Sequence, residues 1–463
     1  MPKPFTPRPW QPLMSGHVLT HKRSALFVPM GMGKSGATLN ALHDLQLVEH
    51  GPILITAPLR VAEFTWPEEV AKWSQFAGAF DVTPIIGDGK TRATALDRAQ
   101  RVGGIATINY ENLPWLVERL ETQKRRWPFR TVVADELSKL KGFRSRQGTQ
   151  RAKALASVAH KHVDRFIGLT GTPSPNGLSD LWGQCWFLDG GERLGRTFTA
   201  FTQRWFRPTF NGFGIEPLPF AHDEIHERIK DVCLSLNALD WFDLKQPIPN
   251  VVEVELPAKA RAAYRDMEKQ FFAEVDGHEV EAFNAASKSM KLLQFTSGAA
   301  YVDETRERWA DVHDAKLVAL ESVIEEAGGM PVLVLYHFKS SLARLTKAFP
   351  GALNVGTSAG LAEAKKGKGK VWLGHPASMG HGVDGLQYHS NIACFFDLNW
   401  NLEEHMQAIE RIGPTRQMQA GKDRAVFVHY LVAKDSIDEI VMERLTTKRE
   451  VQDLLLDALK RRS

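Results

Sequence analysis

Two residue groups in this chain are spaced for phosphate chemistry. The first is Val28-Pro29-Met30-Gly31-Met32-Gly33-Lys34-Ser35, where a short apolar run (Ser24 to Val28) meets two glycines, a lysine and a hydroxyl. The residues after it, Gly36-Ala37-Thr38-Leu39-Asn40-Ala41-Leu42, can start a helix. Strand, glycine loop and helix start together make a phosphate cradle. Glycines let backbone N–H groups approach, Lys34 neutralises charge, and the Ser35 hydroxyl can ligate Mg²⁺. The strict pattern has a further glycine five residues before Gly33, where Val28 stands, so a plain turn with a lysine is the competing reading. The second group is Thr131-Val132-Val133-Ala134 running into Asp135-Glu136. An apolar strand ending in two acids offers one carboxylate, Asp135, for Mg²⁺ and another, Glu136, to polarise an attacking water. A helix N-terminus is the competing reading of such a pair. Its place about 100 residues after the glycine-lysine loop favours catalysis.

Other groups fall into order around these two. Arg8-Pro9-Trp10-Gln11-Pro12 precedes the loop; its prolines predict a non-helical segment, from which the Gln11 amide could read an adenine edge. From Leu137 to His162 there are seven basic residues (Lys139, Lys141, Arg144, Arg146, Arg151, Lys153, Lys161) and no acid. Such a strip neutralises phosphates, with a solvated helix face as the bland alternative. Arg165-Phe166-Ile167-Gly168-Leu169 reads as a strand that empties into Thr170-Gly171-Thr172-Pro173, two hydroxyls placed to sense a terminal phosphate. In the second half, Pro376 to Asp384 and Asp397-Leu398-Asn399-Trp400-Asn401 are the candidate walls of a cleft. The latter leads into a helix on which Gln407 and Arg411 share a face. An arginine there could stabilise charge on a transferring phosphoryl group, while a surface ladder of Glu404, Gln407 and Arg411 is the alternative. Lys365 to Lys370 is a basic tract that suits either a phosphate backbone or solvent.

The elements that must position these residues alternate. Pro52-Ile53-Leu54-Ile55-Thr56, Val102 to Ile108, Thr131 to Ala134 and Arg165 to Leu169 are short apolar runs, the mark of strands buried on both faces. Trp66, Val70 and Trp73 lie at helical spacing between two of them and read as core. Between about Gly191 and Ala310 the rhythm stops and a mostly helical insertion is expected, with Trp205, Phe206, Phe210 and Phe213 as core aromatics and Tyr264, Met267 and Phe271 on one helix side. It resumes at Pro331 to Tyr336, Ala352 to Val355, Lys370 to Leu373, Ile392 to Phe396 and Ala425 to Leu431. That predicts two α/β domains with parallel sheets, only one of which carries a glycine-lysine loop. The tail from Asp435 reads as a helix with Ile437, Ile440, Val441, Leu445, Val451, Leu454 and Leu455 as its apolar stripe.

Length and composition agree. At 463 residues the chain can hold two or three domains. A charge of +4, from 58 basic and 54 acidic residues, is too even to announce a nucleic-acid partner without local clusters. Three separated cysteines argue against a zinc site or disulfide framework. No apolar leader or bilayer-length run is evident, so a soluble intracellular protein is expected.

The ordered set resembles the superfamily 2 helicase-like ATPases, in particular their Swi/Snf-type branch. Arg8 to Gln11 resembles that branch's glutamine motif, Met30 to Ser35 its first motif, Asp135-Glu136-Leu137-Ser138 its acid box and Leu169 to Pro173 its third motif. Asp397 to Asn401 with Gln407 and Arg411 resembles the sixth. Three departures stand out: Ser138 replaces a histidine, Asp384-Gly385 stands where the fifth motif has an asparagine, and Pro414 occupies the second arginine position, with Arg416 two residues on. The resemblance implies two RecA-like domains in tandem, 1–190 and 311–463, a helical insertion at 191–310 and a terminal helix. It implies Mg·ATP hydrolysis between the domains and translocation on double-stranded DNA in replication, recombination or repair. The expected setting is the cytoplasm of a bacterium or phage-infected host. Gln11, Met30, Gly31, Met32, Gly33, Lys34, Ser35, Asp384 and Gln407 would contact nucleotide. Ser35 and Asp135 would hold Mg²⁺, Glu136 would act on water, and Arg411 or Arg416 would meet the γ-phosphate. Thr170, Gly171 and Thr172 would couple hydrolysis to DNA, gripped by Arg60, Lys139, Lys141, Arg144, Arg146, Ser378 and Gly380. A strand-separating helicase and a DNA-binding scaffold with a degenerate ATP site are the rival readings.

Overall fold

The structure, a computed structural model, describes residues 2–447 other than 145–147, 175–176, 209–213, 242–243, 277–281, 303–306 and 380–382. Arg146, Phe210, Phe213, Gly380, Val451, Leu454 and Leu455 therefore lie outside the described residues, as does the side chain of Phe271. The chain divides into two compact units, Met1–Asp243 and Leu244–Ser463.

Unit 1 is built on a seven-stranded sheet. In chain order its strands are β1 (Arg23–Phe27), β2 (Ile53–Ala57), β3 (Val82–Pro84), β4 (Ile105–Asn109), β5 (Thr131–Asp135), β6 (Arg165–Thr170) and β9 (Cys233–Ser235). A two-stranded antiparallel ribbon, β7 (Phe206–Pro208) and β8 (Ile215–Pro217), stands apart from it. The order across the sheet is β3-β4-β2-β5-β6-β1-β9, and every pairing is parallel. All five residues of β2 and of β4 are buried, which is what continuous apolar runs dictate when helices cover both faces. Register places Phe27 opposite Thr170 and Leu169 opposite Asp135. The glycine loop, the Thr-Gly-Thr segment and the acid pair thus emerge side by side from one edge. This is a RecA-like sheet.

Unit 2 repeats the plan with six strands, β10 (Ile248–Val254), β13 (Val332–Leu335), β14 (Leu353–Asn354), β15 (Val371–Gly374), β16 (Ile392–Phe395) and β17 (Phe427–Ala433). Their order is β10-β17-β16-β13-β15-β14, again parallel throughout. The antiparallel pair β11 (Ala299–Tyr301) and β12 (Trp309–Asp311) lies outside that sheet. The tail forms the expected helix over Ile437–Thr447, tied down by a buried ion pair of Asp438 with Lys316 at 2.7 Å. Among the described residues no helix is long and apolar enough to cross a membrane.

Two local expectations differ from what is seen. The stretch 191–310 does contain helices, but β9 and β10 inside it are edge strands of the two sheets. A three-residue strand carries no readable alternation, and Pro249 in β10 reads as a breaker although an edge strand tolerates it. Gln11 is helical: the first helix, α1, spans Gln11–Thr20, with Pro12 in its first turn, where a proline costs no intrahelical hydrogen bond.

Two histidines in unit 2 are buried without charge. His405 stacks with Phe395 and Tyr430, at ring distances of 4.6 and 5.6 Å, and His313 faces the Phe295 carbonyl at 3.0 Å. Burial pushes both imidazoles down to about 4 from 6.5. The unfolded rings take up protons first on acidification, so stability is complete above about pH 6.5 and declines towards pH 4. The slope is about 1.4 kcal/mol per pH unit for each ring. Denaturant melts at pH 7 and pH 5 should show this loss, and His405→Phe should remove about half of it, leaving the His313 share. Equal midpoints at both pH values would contradict the assignment.

Candidate functional site

The phosphate loop is held from the N-terminal side. Between β1 and the helix α2 (Lys34–Leu45), Gly33 sits at φ +76, a left-handed conformation that side chains avoid. A Cβ there would stand 2.6 Å from Gln11 Nε2. Gln11 Nε2 donates to the Gly33 carbonyl at 2.9 Å while its Oε1 accepts from Arg8 N at 2.7 Å. The amide thus braces the loop and keeps one N–H and lone-pair capacity for a further partner. Trp10 Nε1 donates to the Met32 carbonyl at 2.8 Å, and Ser15 Oγ to the Ala37 carbonyl at 2.9 Å. Lys34 Nζ folds back on the Val28 and Pro29 carbonyls at 2.7 and 3.3 Å. Met30 and Met32 are buried, and Ser35 lies half-buried in the first turn of α2.

The acid pair is anchored as firmly. Trp66 opens the helix α3 (Trp66–Lys72), and its Nε1 donates to Asp135 Oδ2 at 2.9 Å. Burial raises the Asp135 carboxyl above its ordinary range, against the Lys34 charge and the Trp66 hydrogen bond, which pull it down. Glu136 is buried at φ +63, a strained conformation for a residue with a side chain. The Tyr110 hydroxyl holds that backbone by donating to the Asp135 carbonyl at 2.9 Å and lies 3.3 Å from the Glu136 carbonyl. Burial drives its pKa well up, so it stays a donor.

The Thr170-Gly171-Thr172 segment touches the loop directly. A Cβ on Gly171 would stand 3.1 Å from Met30 Cγ. Thr172 N donates to Thr170 Oγ1 at 3.2 Å, while the buried Thr172 Oγ1 has no hydrogen-bond partner among the described residues. Ser138, where the family resemblance has a histidine, is buried, and the neighbouring Leu137 side chain lies over Gly168 of β6. An ammonium, a hydroxyl at a helix start, a buried carboxylate and an orphaned hydroxyl gathered at one edge fit Mg²⁺ with a nucleoside triphosphate.

In unit 2 the candidates form their own cluster. Arg411 is buried and donates to the Val383 carbonyl at 3.0 Å, and Arg416 pairs with Asp384. Burial opposes ionisation of Asp384, but Arg416 and the Gly385 N–H hold its carboxyl below the usual range. Gln407 is buried and its Nε2 lies 3.4 Å from Glu403 Oε1. Asp397 serves backbone architecture, accepting from His337 N at 2.6 Å, Phe338 N at 3.1 Å and Ser341 Oγ at 2.9 Å.

The basic strip is less uniform than its composition. The half-buried Arg144 guanidinium lies 3.5 Å above the Phe198 ring and donates to the Lys141 and Phe143 carbonyls. Lys141 Nζ stands 3.7 Å from Asp180. Lys139 and Arg60 are half-buried, and Ser378 is exposed with its hydroxyl donating to the His375 carbonyl at 2.9 Å. Trp66 reads as core and Tyr110 carries no reading of its own in the sequence, because their polar atoms find partners on a strand distant in sequence. Their one signal is position: each lies shortly after the C-terminal end of a strand, beside the acid pair's own strand or one strand further away.

The family described as SNF2-related domain matches residues 20–301. The chain is 53% identical over 467 residues to the p41 protein of Acyrthosiphon pisum secondary endosymbiont phage 1, covering 99% of this chain and all of that protein. It is 21% identical to the transcription regulatory protein SNF2 of Saccharomyces cerevisiae over 95% of this chain but only 27% of that protein. The SWI2/SNF2 ATPase core of Sulfolobus solfataricus, solved in complex with dsDNA, is similar at 21% identity and a TM-score of 0.44, covering 97% of this chain and 93% of that one.

Two outcomes follow from the packing. Gly33→Ala should weaken nucleotide binding at least tenfold in a titration with fluorescent nucleotide, and Gln11→Ala in the same chain should recover part of that loss. Arg144→Ala should lower the melting temperature of unit 1 by a few degrees, for about 1 kcal/mol of lost stacking, with duplex affinity unchanged. A duplex affinity that falls while the melt stays put would return Arg144 to the DNA surface.

Proposed function

We propose that this chain, which belongs to the SNF2-related family, is an ATP-driven motor that moves on double-stranded DNA. The observation that supports it best is the meeting of Lys34, Asp135-Glu136 and Thr170 to Thr172 on one sheet edge, set by the pairing of β1, β6 and β5. Lys34 leaves its carbonyl partners to neutralise the β- and γ-phosphates, over a loop whose N–H groups take the remaining oxygens. Ser35 and Asp135 are the residues to hold Mg²⁺, which when bound offsets charge on the same oxygens. Glu136, fixed by its strained backbone and by Tyr110, orients the attacking water. Thr170 to Thr172 lie against Met30 and can register loss of the terminal phosphate. We assign the arginine that completes charge compensation to Arg411 or Arg416; either must first exchange the partner it has here.

The DNA assignment draws on the family and on Arg60, Lys139 and Lys141, phosphate-directed contacts that position a protein without reading sequence. Lys34→Ala and Glu136→Gln should each lower duplex-stimulated ATP turnover at least a hundredfold while duplex binding in a mobility-shift assay survives. Turnover unchanged in both variants would remove this mechanism. Displacement of a third strand from a triplex, without unwinding of a tailed duplex, is the expected mark of movement on duplex DNA.

A further inference from the structure

Trp66 is fully buried, about 1% exposed, and its spacing with Val70 marks it as core. Its one polar atom nonetheless ends on Asp135, 2.9 Å away. An aspartate carboxylate has a broad, two-fold torsional preference, so a fixed orientation needs a partner that is itself fixed. The indole N–H is such a partner, and what fixes the indole is unusual.

After β2, the chain runs through Pro58-Leu59-Arg60 into a π-helical turn, Val61–Thr65, before α3. The Trp66 backbone N–H closes that turn on the Val61 carbonyl. A π turn holds an extra residue, is strained relative to an α turn, and commonly marks functional positions. The turn is pinned beneath by Thr107 Oγ1 of β4, which donates to the Ala62 carbonyl at 2.5 Å. Its outer side presents Leu59 and Phe64, 49% and 47% exposed, beside the half-buried Arg60. One end of this segment therefore faces solvent with a cation and two apolar side chains. The other end grips the metal carboxylate.

We propose that Trp66 is a positioning residue through which the segment Pro58 to Thr65, on contacting the duplex backbone, sets the orientation of the Asp135 carboxylate. Any change in the π turn moves the residue that closes it, and the indole carries that change to Oδ2. Arg60 supplies the phosphate contact, and Leu59 and Phe64 meet the deoxyribose edge. By reciprocity, whatever DNA does to Asp135 through this link, Mg-bound nucleotide must do to DNA affinity. The inference rests on reading the chain as a DNA-stimulated ATPase.

Trp66→Phe keeps an aromatic six-membered ring and removes the pyrrole ring with its N–H. Losing a hydrogen bond to a carboxylate should cut the Mg²⁺-dependent gain in affinity for fluorescent ADP about tenfold, with affinity in EDTA unchanged. Duplex binding without nucleotide should hold within twofold, while stimulation of turnover by duplex falls about tenfold. Thr107→Val, which loosens the turn without touching Asp135, should reduce stimulation while lowering the Mg²⁺-dependent gain less than Trp66→Phe does. If Trp66→Phe keeps both the gain and the stimulation of the wild type, or if Thr107→Val is stimulated normally, the link is overturned. A wild-type chain that duplex DNA fails to stimulate would instead sink the functional reading, and the ADP comparison would still decide whether Trp66 positions Asp135.

Discussion

Parallel pairing of β1, β6 and β5 is the constraint on which the candidate site depends. Residues 27, 135 and 170 are far apart along the chain, yet the register Phe27 to Thr170 and Asp135 to Leu169 delivers their loops to one edge within a few ångströms of strand spacing. Parallel strands end on the same side, so each loop that follows emerges where the previous one did. Burial on both faces makes that register costly to slip, because every strand residue would exchange one packed surface for another. The chemistry is thereby placed by apolar side chains that take no part in it.

Around this edge, polar groups that would be expensive to bury are held by partners with fixed geometry. Gln11, Trp10 and Ser15 take the Gly33, Met32 and Ala37 carbonyls of the loop and its helix, Tyr110 takes the strained backbone of the acid pair, and Trp66 takes Asp135 itself. The donors come from the start of α1, from the residue after β4 and from the start of α3, so several elements preorganise the site. The exceptions are Lys34, resting on carbonyls that a phosphate would displace, and the orphaned Thr172 hydroxyl. Both are what a site awaiting an anion would contain.

Unit 2 uses the same sheet plan without a glycine loop and organises its arginines differently. Arg411 and Arg416 converge on residues 383 and 384, so the segment with the unusual Asp384-Gly385 and the helix region with the displaced arginine have become partners. The two departures from the family pattern thus meet in one ion pair. Asp397, Asn399 and Asn401 spend their side chains on capping and turn bonds, including Asn401 Oδ1, which accepts from Glu404 N at 3.2 Å and caps the helix Leu402–Ile409, a helix that ends before Arg411.

The order of apolar runs and the residues at their ends were readable from the chain alone. Strand, Gly33-Lys34-Ser35 and helix, or strand and Asp135-Glu136, are local patterns, and local backbone preference with burial on both faces is enough to specify them. From them came the two parallel sheets, the family and most of the candidate residues. Tertiary structure decided what depends on partners distant in sequence. It made β9 and β10 edge strands, because a short or proline-bearing segment gains strand geometry only from a neighbour. It stacked the half-buried Arg144 on Phe198, because that ring lies within reach only after folding. It also gave Trp66 and Tyr110 roles beyond packing, since an indole or phenol looks apolar in a sequence until its single polar atom meets an acceptor. Periodicity reports which side chains leave water; it does not report which atoms they meet there.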